Sequence, residues 1–316
     1  PTLDAMARGA SVVEPTGRTW PLVEIVERNE ESNGTRSVAK RTVQAIQGTV
    51  NRGGQVFLFV SRLGYAPAFR CVNCRTLRRC ASCMAGSDRG DVCKRCGNGL
   101  GPCRECGGRR FEPLGAGIGR VAEELARHLG SGAVGGVDSG RQVLVGSEKD
   151  LPFVPETALS VAVDADSLLM APHYRAEEDA VRLLARVVLT VAKGGGRRGL
   201  MQTGQPNHRA MAMLRSGRSV EYLQRLIEER ERDLLPPASE LLAIEVTGDP
   251  GLPTVDIAAL GNELVEVHGP EAGAGRSRWF LHGPSLQESR VRLRAMVQRW
   301  RDAGLKVRID ADPIDL

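Results

Sequence analysis

Lysine is scarce in this 316-residue chain: there are five, Lys40, Lys94, Lys149, Lys193 and Lys306, and none is followed by Ser or Thr. A nucleotide phosphate loop needs Gly-Lys-Ser/Thr, where backbone amides, an ammonium and a magnesium-binding hydroxyl meet the phosphates. That loop is absent from this sequence. No apolar run approaches the roughly 18 residues that span a bilayer, so no membrane span is expected. The opening "PTLDAMARGASVVEP" lacks the basic-then-apolar order of a secretory signal, which places the cysteines in a reducing compartment and makes disulfides the weaker account of them. It also lacks an initiator Met, which implies the downstream part of a longer protein. No Gly-x-Ser-x-Gly elbow occurs, and the acidic runs "EERERD" and "AEED" read as solvated helix faces, so hydrolase chemistry has no support. The five histidines, His128, His173, His208, His268 and His282, are scattered without metal-ligand spacing and take no catalytic role.

What is present is a concentration of sulfur. All eight cysteines fall between Cys71 and Cys106, each as half of a Cys-x-x-Cys pair, in "CVNCRTLRRCASC" and "CKRCGNGLGPCREC". Such a turn aims two thiolates at one point, and two turns supply the four tetrahedral sulfur ligands of structural zinc. Eight cysteines therefore make two zinc sites. The intervening "RTLRR", "MAGSDRGDV" and "GNGLGP" are too short and polar to build a core, so the metal must fold the segment. A redox dithiol normally occurs once, beside a βαβ unit. The chaperone module with CxxCxGxG repeats is disfavoured because both later glycines are missing after Cys74 and Cys83. Four pairs can be divided between two sites in three ways, and spacing does not choose among them.

The same stretch is a basic island. Between Arg70 and Arg110 the net charge is +7, in a chain whose total is +5. Such a surface suits nucleic-acid phosphates, because each one neutralised releases condensed counterions. A solvated face is the alternative.

Length alone implies two or three domains. "GQVFLFVSR" (54–62) reads as a buried strand leading into the cysteines. "GAGIGRVAEELARHLGSG" places Val121, Leu125 and Leu129 on one helical face, with Gly130 as its stop. "RQVLVGS" (141–147) and "ALSVAVDADSLL" (158–169) are β-rich, and "RAEEDAVRLLARVVLTVA" (175–192) is helical; this alternation implies a parallel sheet into which the cysteine segment is inserted. From Asn207 to Pro237 the pattern predicts one connecting helix. The last eighty residues hold β-like "ELLAIEVTG", "TVDIAAL" and "SRWFLHGP", a basic helix "SLQESRVRLRAMVQRWRDAG" and a final strand "KVRIDADP", a small α+β domain.

The order of parts, a strand ending in "SRLGYAPAF", four CxxC pairs, "GAGIGR", a helix, "VLVGS", "VDAD", a long helix and a terminal "VRIDADP", resembles the PriA family of replication-restart helicases over essentially the whole chain. The resemblance implies a RecA-like second helicase lobe at 1–69 and 111–205, a two-zinc insertion at 70–110, and a connecting helix with a carboxyl-terminal DNA- and partner-binding domain at 206–316. It implies that the outer pairs, Cys71, Cys74, Cys103 and Cys106, share one zinc, and that Cys80, Cys83, Cys93 and Cys96 share the other. It also implies forked and single-stranded DNA, single-strand-binding protein, and primosome and helicase-loading proteins as partners, in the cytoplasm at the nucleoid. Arg75, Arg78 and Arg79 of the island are the expected phosphate contacts.

The helicase pattern itself is eroded. Ile118 and Gly119 stand where the family carries Thr and Glu after Gly117; "EKDLPFV" follows "VLVGS" in place of a Lys-Gly loop; and in "TVAKGGGR" Thr190 and Gly194 replace the Gln and first Arg of the arginine-finger motif, leaving Arg197. Asp164 and Asp166 keep the family's Asp-x-Asp, and Arg175 with Glu177 roughly matches the family's next segment. This implies a DNA-binding scaffold without helicase activity in this form; the alternative is an ATP-dependent 3′–5′ helicase whose nucleotide-binding lobe lies upstream. In "GRSRWFL", Arg276, Arg278 and Trp279 resemble the family's basic-aromatic stretch, where an aromatic stacks a base and arginine holds its phosphate. A core tryptophan flanked by solvated arginines is the alternative, and Trp300 reads as core.

Overall fold

The computed structural model describes residues 6, 20–28, 37–61, 68–74, 76–82, 91–93, 97–114, 117–171, 173–191, 198–273, 275–311 and 313. The chain divides into two compact units after Arg218.

In Gly17–Arg218 six strands form an all-parallel sheet: β1 (Leu22–Glu27), β2 (Val56–Phe59), β5 (Val134–Gly135), β6 (Val143–Gly146), β7 (Leu159–Ala162) and β8 (Arg198–Thr203), in the order β1-β8-β7-β2-β6-β5. The central strands "VFLF", "VLVG" and "LSVA" are buried at every position. Continuous apolar runs are what a parallel sheet needs, because helices cover both of its faces. On one face α1 (Lys40–Asn51) buries Thr42, Ala45, Ile46 and Thr49, the i, i+3, i+4, i+7 stripe of an amphipathic helix. Beside it α2 (Ile118–Leu129) contributes Val121 and Leu125 to the same core as Val56, Leu58, Val143 and Val161. The long α4 (Ala176–Val188) follows β7, as the alternation predicts, whereas the end of the run read as β-rich, "DSLL", is the short helix α3 (Asp166–Leu169).

Buried polar side chains lock α1 in place. Gln202 on β8 donates to Ser37 O and Val163 O, both at 2.8 Å, and accepts from Ala39 N–H at 2.8 Å. Glu124 on α2 accepts from the N–H groups of Ser37 and Val38 at 2.8 and 3.3 Å. Buried amides and carboxylates persist only when satisfied in this way.

The single connecting helix expected from 207 to 237 is two. α5 (Arg209–Ser216) ends at Gly217, whose φ of +72° is left-handed, and α6 (Ser219–Arg232) starts afresh. A Cβ at Gly217 would lie 2.7 Å from Trp20 Cγ, and Trp20 Nε1 donates to Leu214 O at 2.6 Å. α5 therefore packs within the first unit.

In Ser219–Leu316 an antiparallel sheet runs β10-β11-β9-β12, from β9 (Glu240–Thr247), β10 (Glu266–Gly273), β11 (Arg276–Gly283) and β12 (Lys306–Ala311). α8 (Gln287–Asp302) lays Leu293, Val297 and Trp300 on Ile244, Trp279 and Leu281. "TVDIAAL" is not a strand: it belongs to α7 (Gly251–Ala258) and the turn after it. The apolar spacing that matters is Pro253, Ile257, Leu260, all buried, a helical period whose first member is a proline in the first turn, where its missing N–H costs nothing.

Candidate metal centre

The cysteine segment hangs from a two-stranded antiparallel ladder. β3 (Ala68–Cys71) pairs with β4 (Phe111–Leu114), Cys71 opposite Phe111, so entry and exit lie side by side. Three cysteine turns repeat the same kind of hydrogen bond. The N–H of Cys71 donates to Thr76 O at 2.9 Å, that of Cys93 to Asn98 O at 2.8 Å, and that of Cys103 to Gly108 O at 2.8 Å. In the latter two, the cysteine carbonyl also accepts from the N–H of Gly97 or Gly107, at 2.8 Å each. Both glycines have left-handed φ, +77° and +70°, which is the reason for a Gly directly after these pairs in "CKRCG" and "CRECG".

These turns bring the sulfurs of Cys71, Cys74, Cys103 and Cys106 within 4.8 Å of one another. Cys71 and Cys106 stand 3.5 Å apart and Cys74 and Cys103 3.4 Å, well beyond a disulfide of about 2.05 Å. Around a tetrahedral zinc with bonds of about 2.3 Å, sulfurs lie roughly 3.8 Å from each other, so four thiolates this close fit such an ion. The turn backbone tunes the set. The Thr76 hydroxyl and N–H lower the Cys74 thiol to about 6, and the Cys74 N–H holds Cys71 below its ordinary value. The Gly108 N–H lowers Cys106, but the neighbouring Cys74 and Cys71 sulfurs and burial outweigh it and raise that thiol to about 12. Gly108 is also a steric requirement: a Cβ there would sit 3.1 Å from Cys71 Sγ, 3.3 Å from Cys106 Sγ and 2.9 Å from Asn73 Nδ2. Its signal in the sequence was the doubled glycine after Cys106.

The outer two pairs are thus together. Of the inner four, Cys80 and Cys93 are buried, at 0% and 2% exposure, whereas Cys83 and Cys96 lie outside the described residues.

The arginines of the island divide. Arg75 lies outside the described residues and Arg79 is exposed. Arg78, expected at a phosphate, is turned inward: its side chain is 10% exposed, its guanidinium lies 4.4 Å from the centre of the Phe111 ring, and it donates to Leu100 O at 3.4 Å. Stacking on an aromatic face is a habit of guanidinium that charge counting does not register.

Trp279 requires a correction of the same kind. It is 1% exposed, on a strand flanked by β10 and β9, and faces the core with Ile244 and Trp300, so it cannot stack a base. Strand alternation puts Arg276 and Arg278 on the opposite face. There Arg276 is 3.4 Å from Glu245 and Arg278 lies 4.6 Å over the Phe280 ring.

At the carboxyl edge of the parallel sheet, where α/β folds place ligands, the Asp-x-Asp carboxylates tie the edge to itself. Asp164 accepts from Arg28 and from Ser167 N–H, both at 3.3 Å, and Asp166 accepts from Gly204 N–H at 2.7 Å and from the Thr203 hydroxyl. Of the eroded arginine-finger segment, Thr190 donates its hydroxyl to Val187 O at 2.8 Å, and Gly194 and Arg197 lie outside the described residues.

No family model matches the chain. Among curated proteins, replication restart protein PriA of Thermotoga maritima is 27% identical over 71% of this chain and 34% of its own length. PriA of Bacillus subtilis is 26% identical over 90% of this chain and 40% of its own length. The chain is similar to PriA. The PriA of Treponema pallidum, 25% identical, covers 99% of the chain, which corresponds to 55% of that relative. The matches span about a quarter to about a half of the PriA proteins concerned, and the longer ones take in the parallel sheet, the cysteine segment and the antiparallel domain together. Among the described residues no helix is long and apolar enough to cross a membrane.

Proposed function

We propose that this chain serves replication restart as a DNA-binding platform. It binds stalled or forked DNA and single strands, recruits single-strand-binding protein and primosome and helicase-loading proteins, and in this form does not unwind DNA. The observation that carries the proposal is the four-sulfur cluster on a ladder inserted into a parallel-sheet lobe, in a chain similar to PriA along most of its length. One zinc is held by Cys71, Cys74, Cys103 and Cys106. The second is held by Cys80, Cys83, Cys93 and Cys96, a reading supported by the Cys93 turn, whose N–H donates to Asn98 O and whose carbonyl accepts from Gly97 N–H in the same pattern as the Cys103 turn. The ions supply folding free energy to a segment without its own core. Arg75 and Arg79, with Arg276 and Arg278 on the antiparallel sheet, are the phosphate contacts. The domain assignment follows the same reading: helicase-lobe remnant at 1–69 and 111–205, zinc insertion at 70–110, DNA- and partner-binding region at 206–316.

The decisive experiment measures ATP turnover by the full-length protein with and without forked DNA, alongside fork binding. Fork binding without stimulated turnover is the expected result, and robust stimulated turnover overturns it. A second reading, an ATP-dependent 3′–5′ helicase completed by an upstream lobe, is favoured by one fact: the PriA relatives are two to three times the aligned length. A Gly-Lys-Ser/Thr loop in the preceding coding sequence would support that second reading.

A further inference from the structure

The cysteine module carries a cavity of about 320 Å³ beside Cys103. Arg78, Arg79 and Arg104 contribute to its lining, together with Ala81, Leu100 and Pro102. The volume falls within the range of small-ligand sites, roughly 300–1,000 Å³. Arg78 is turned inward against the Phe111 ring and Leu100 O, with Asp91 Oδ1 3.9 Å away, so it forms the floor of the cavity and Arg79 and Arg104 carry the charge that a ligand meets. Arg79 and Arg104 are exposed.

We propose that this cavity is a docking pocket for an acidic protein segment with an aliphatic side chain next to its carboxylates. Planar guanidiniums pair with carboxylates through two parallel bonds, and Arg clusters read acidic motifs in this way. The walls decide between partners. Proteins that hold single-stranded nucleic acid stack bases on aromatic rings, and among the described residues no aromatic side chain lines this cavity; the Phe111 ring lies under Arg78. A sugar-phosphate backbone would satisfy the arginines and leave the apolar walls empty, whereas a leucine-like side chain fills them. The proposal rests on the recruiting role above, and gives it a place and a chemistry.

The test uses the whole chain purified with its metal, a fluorescein-labelled Asp-Glu-Asp-Leu-Leu peptide with a free carboxyl terminus, and a five-nucleotide single strand as the rival probe. Gly101 also lines the cavity, has no left-handed φ, and a Cβ there meets nothing within 4 Å, so Gly101→Leu fills the space without backbone strain. Wild type is expected to bind the peptide, and Gly101→Leu and Arg104→Glu each to weaken it by about tenfold or more, the scale of one charge-assisted bond. Forked-DNA affinity of Gly101→Leu should stay within about twofold, since that variant removes no charge. Should Gly101→Leu lose its metal, Arg104→Glu with verified metal content gives the answer. Absence of peptide binding, peptide binding indifferent to both substitutions, or loss of the oligonucleotide in place of the peptide in Gly101→Leu would each overturn the pocket. Fork binding without peptide binding overturns the pocket and leaves the DNA role standing; peptide binding without fork binding does the reverse.

Discussion

The parallel-sheet lobe and the cysteine module sit in one unit but are held together by different physics. In the lobe, Phe57, Leu58, Leu144, Leu159 and Leu200 are fully buried within apolar surroundings. Among the described residues from 72 to 110, by contrast, the buried ones are Cys80, Cys93 and Cys103. A module whose interior is sulfur has almost no hydrophobic contribution to offset the entropy of ordering it. On this ground the lobe should stand without a ligand, and the module should need the proposed metal.

Metal removal tests that contrast most severely. Stripping the ion by chelation should abolish a contribution of about 10–16 kcal/mol. The module should become open to proteases between 71 and 110, while the helical circular dichroism of the lobe persists. A module that stays resistant after chelation would end the comparison. Next in size, Leu58→Ala should lower the stability of the lobe by about 2–5 kcal/mol, seen as a drop in Tm, with metal content unchanged. Gly108→Ala acts the other way. Its Cβ would crowd Cys71 and Cys106 sulfurs, so metal affinity in a competition titration should fall about 10–100-fold, with the lobe's Tm unmoved. Arg78→Ala should cost about 1–2 kcal/mol through loss of the Phe111 stacking and the Leu100 bond. The expected readout is faster metal loss to a chelator. Arg79→Ala, on the exposed side, should leave metal content alone, weaken fork binding modestly and reduce the salt slope by about one. Equal effects of Arg78 and Arg79 on the salt slope would show that the inward and outward arginines are not distinct.

Much of the architecture was legible where a pattern was strong. "VFLF", "VLVG" and "LSVA" announced a buried parallel sheet, and "GRVAEELARHL" its covering helix. The weak elements were those with mixed composition. β8, "RGLMQT", ends in a glutamine and a threonine that are nonetheless wholly buried, because Gln202 spends every polar atom on Ser37, Ala39, Thr42 and Val163. "TVDIAAL" looked like a strand because Val and Ile favour one, until Pro253, Ile257 and Leu260 are seen to share a helical face. Trp279, for which the core was the alternative, and Arg78 both face inward, and for a common reason the sequence does not decide it: composition counts an aromatic or a charge without knowing which side of the backbone it occupies.

What the sequence determined by itself was local. Two residues between paired cysteines, and a glycine after the pair, dictate a turn that presents sulfur, because that geometry closes within six residues. Which pairs meet is a different matter. Cys71 reaches Cys106 across 35 positions, and Arg78 finds Phe111 across 33, because β3 and β4 zip the two ends of the segment together. Contacts of that span arise from packing, and only the tertiary structure decides which sulfurs share a site and which cations turn away from water.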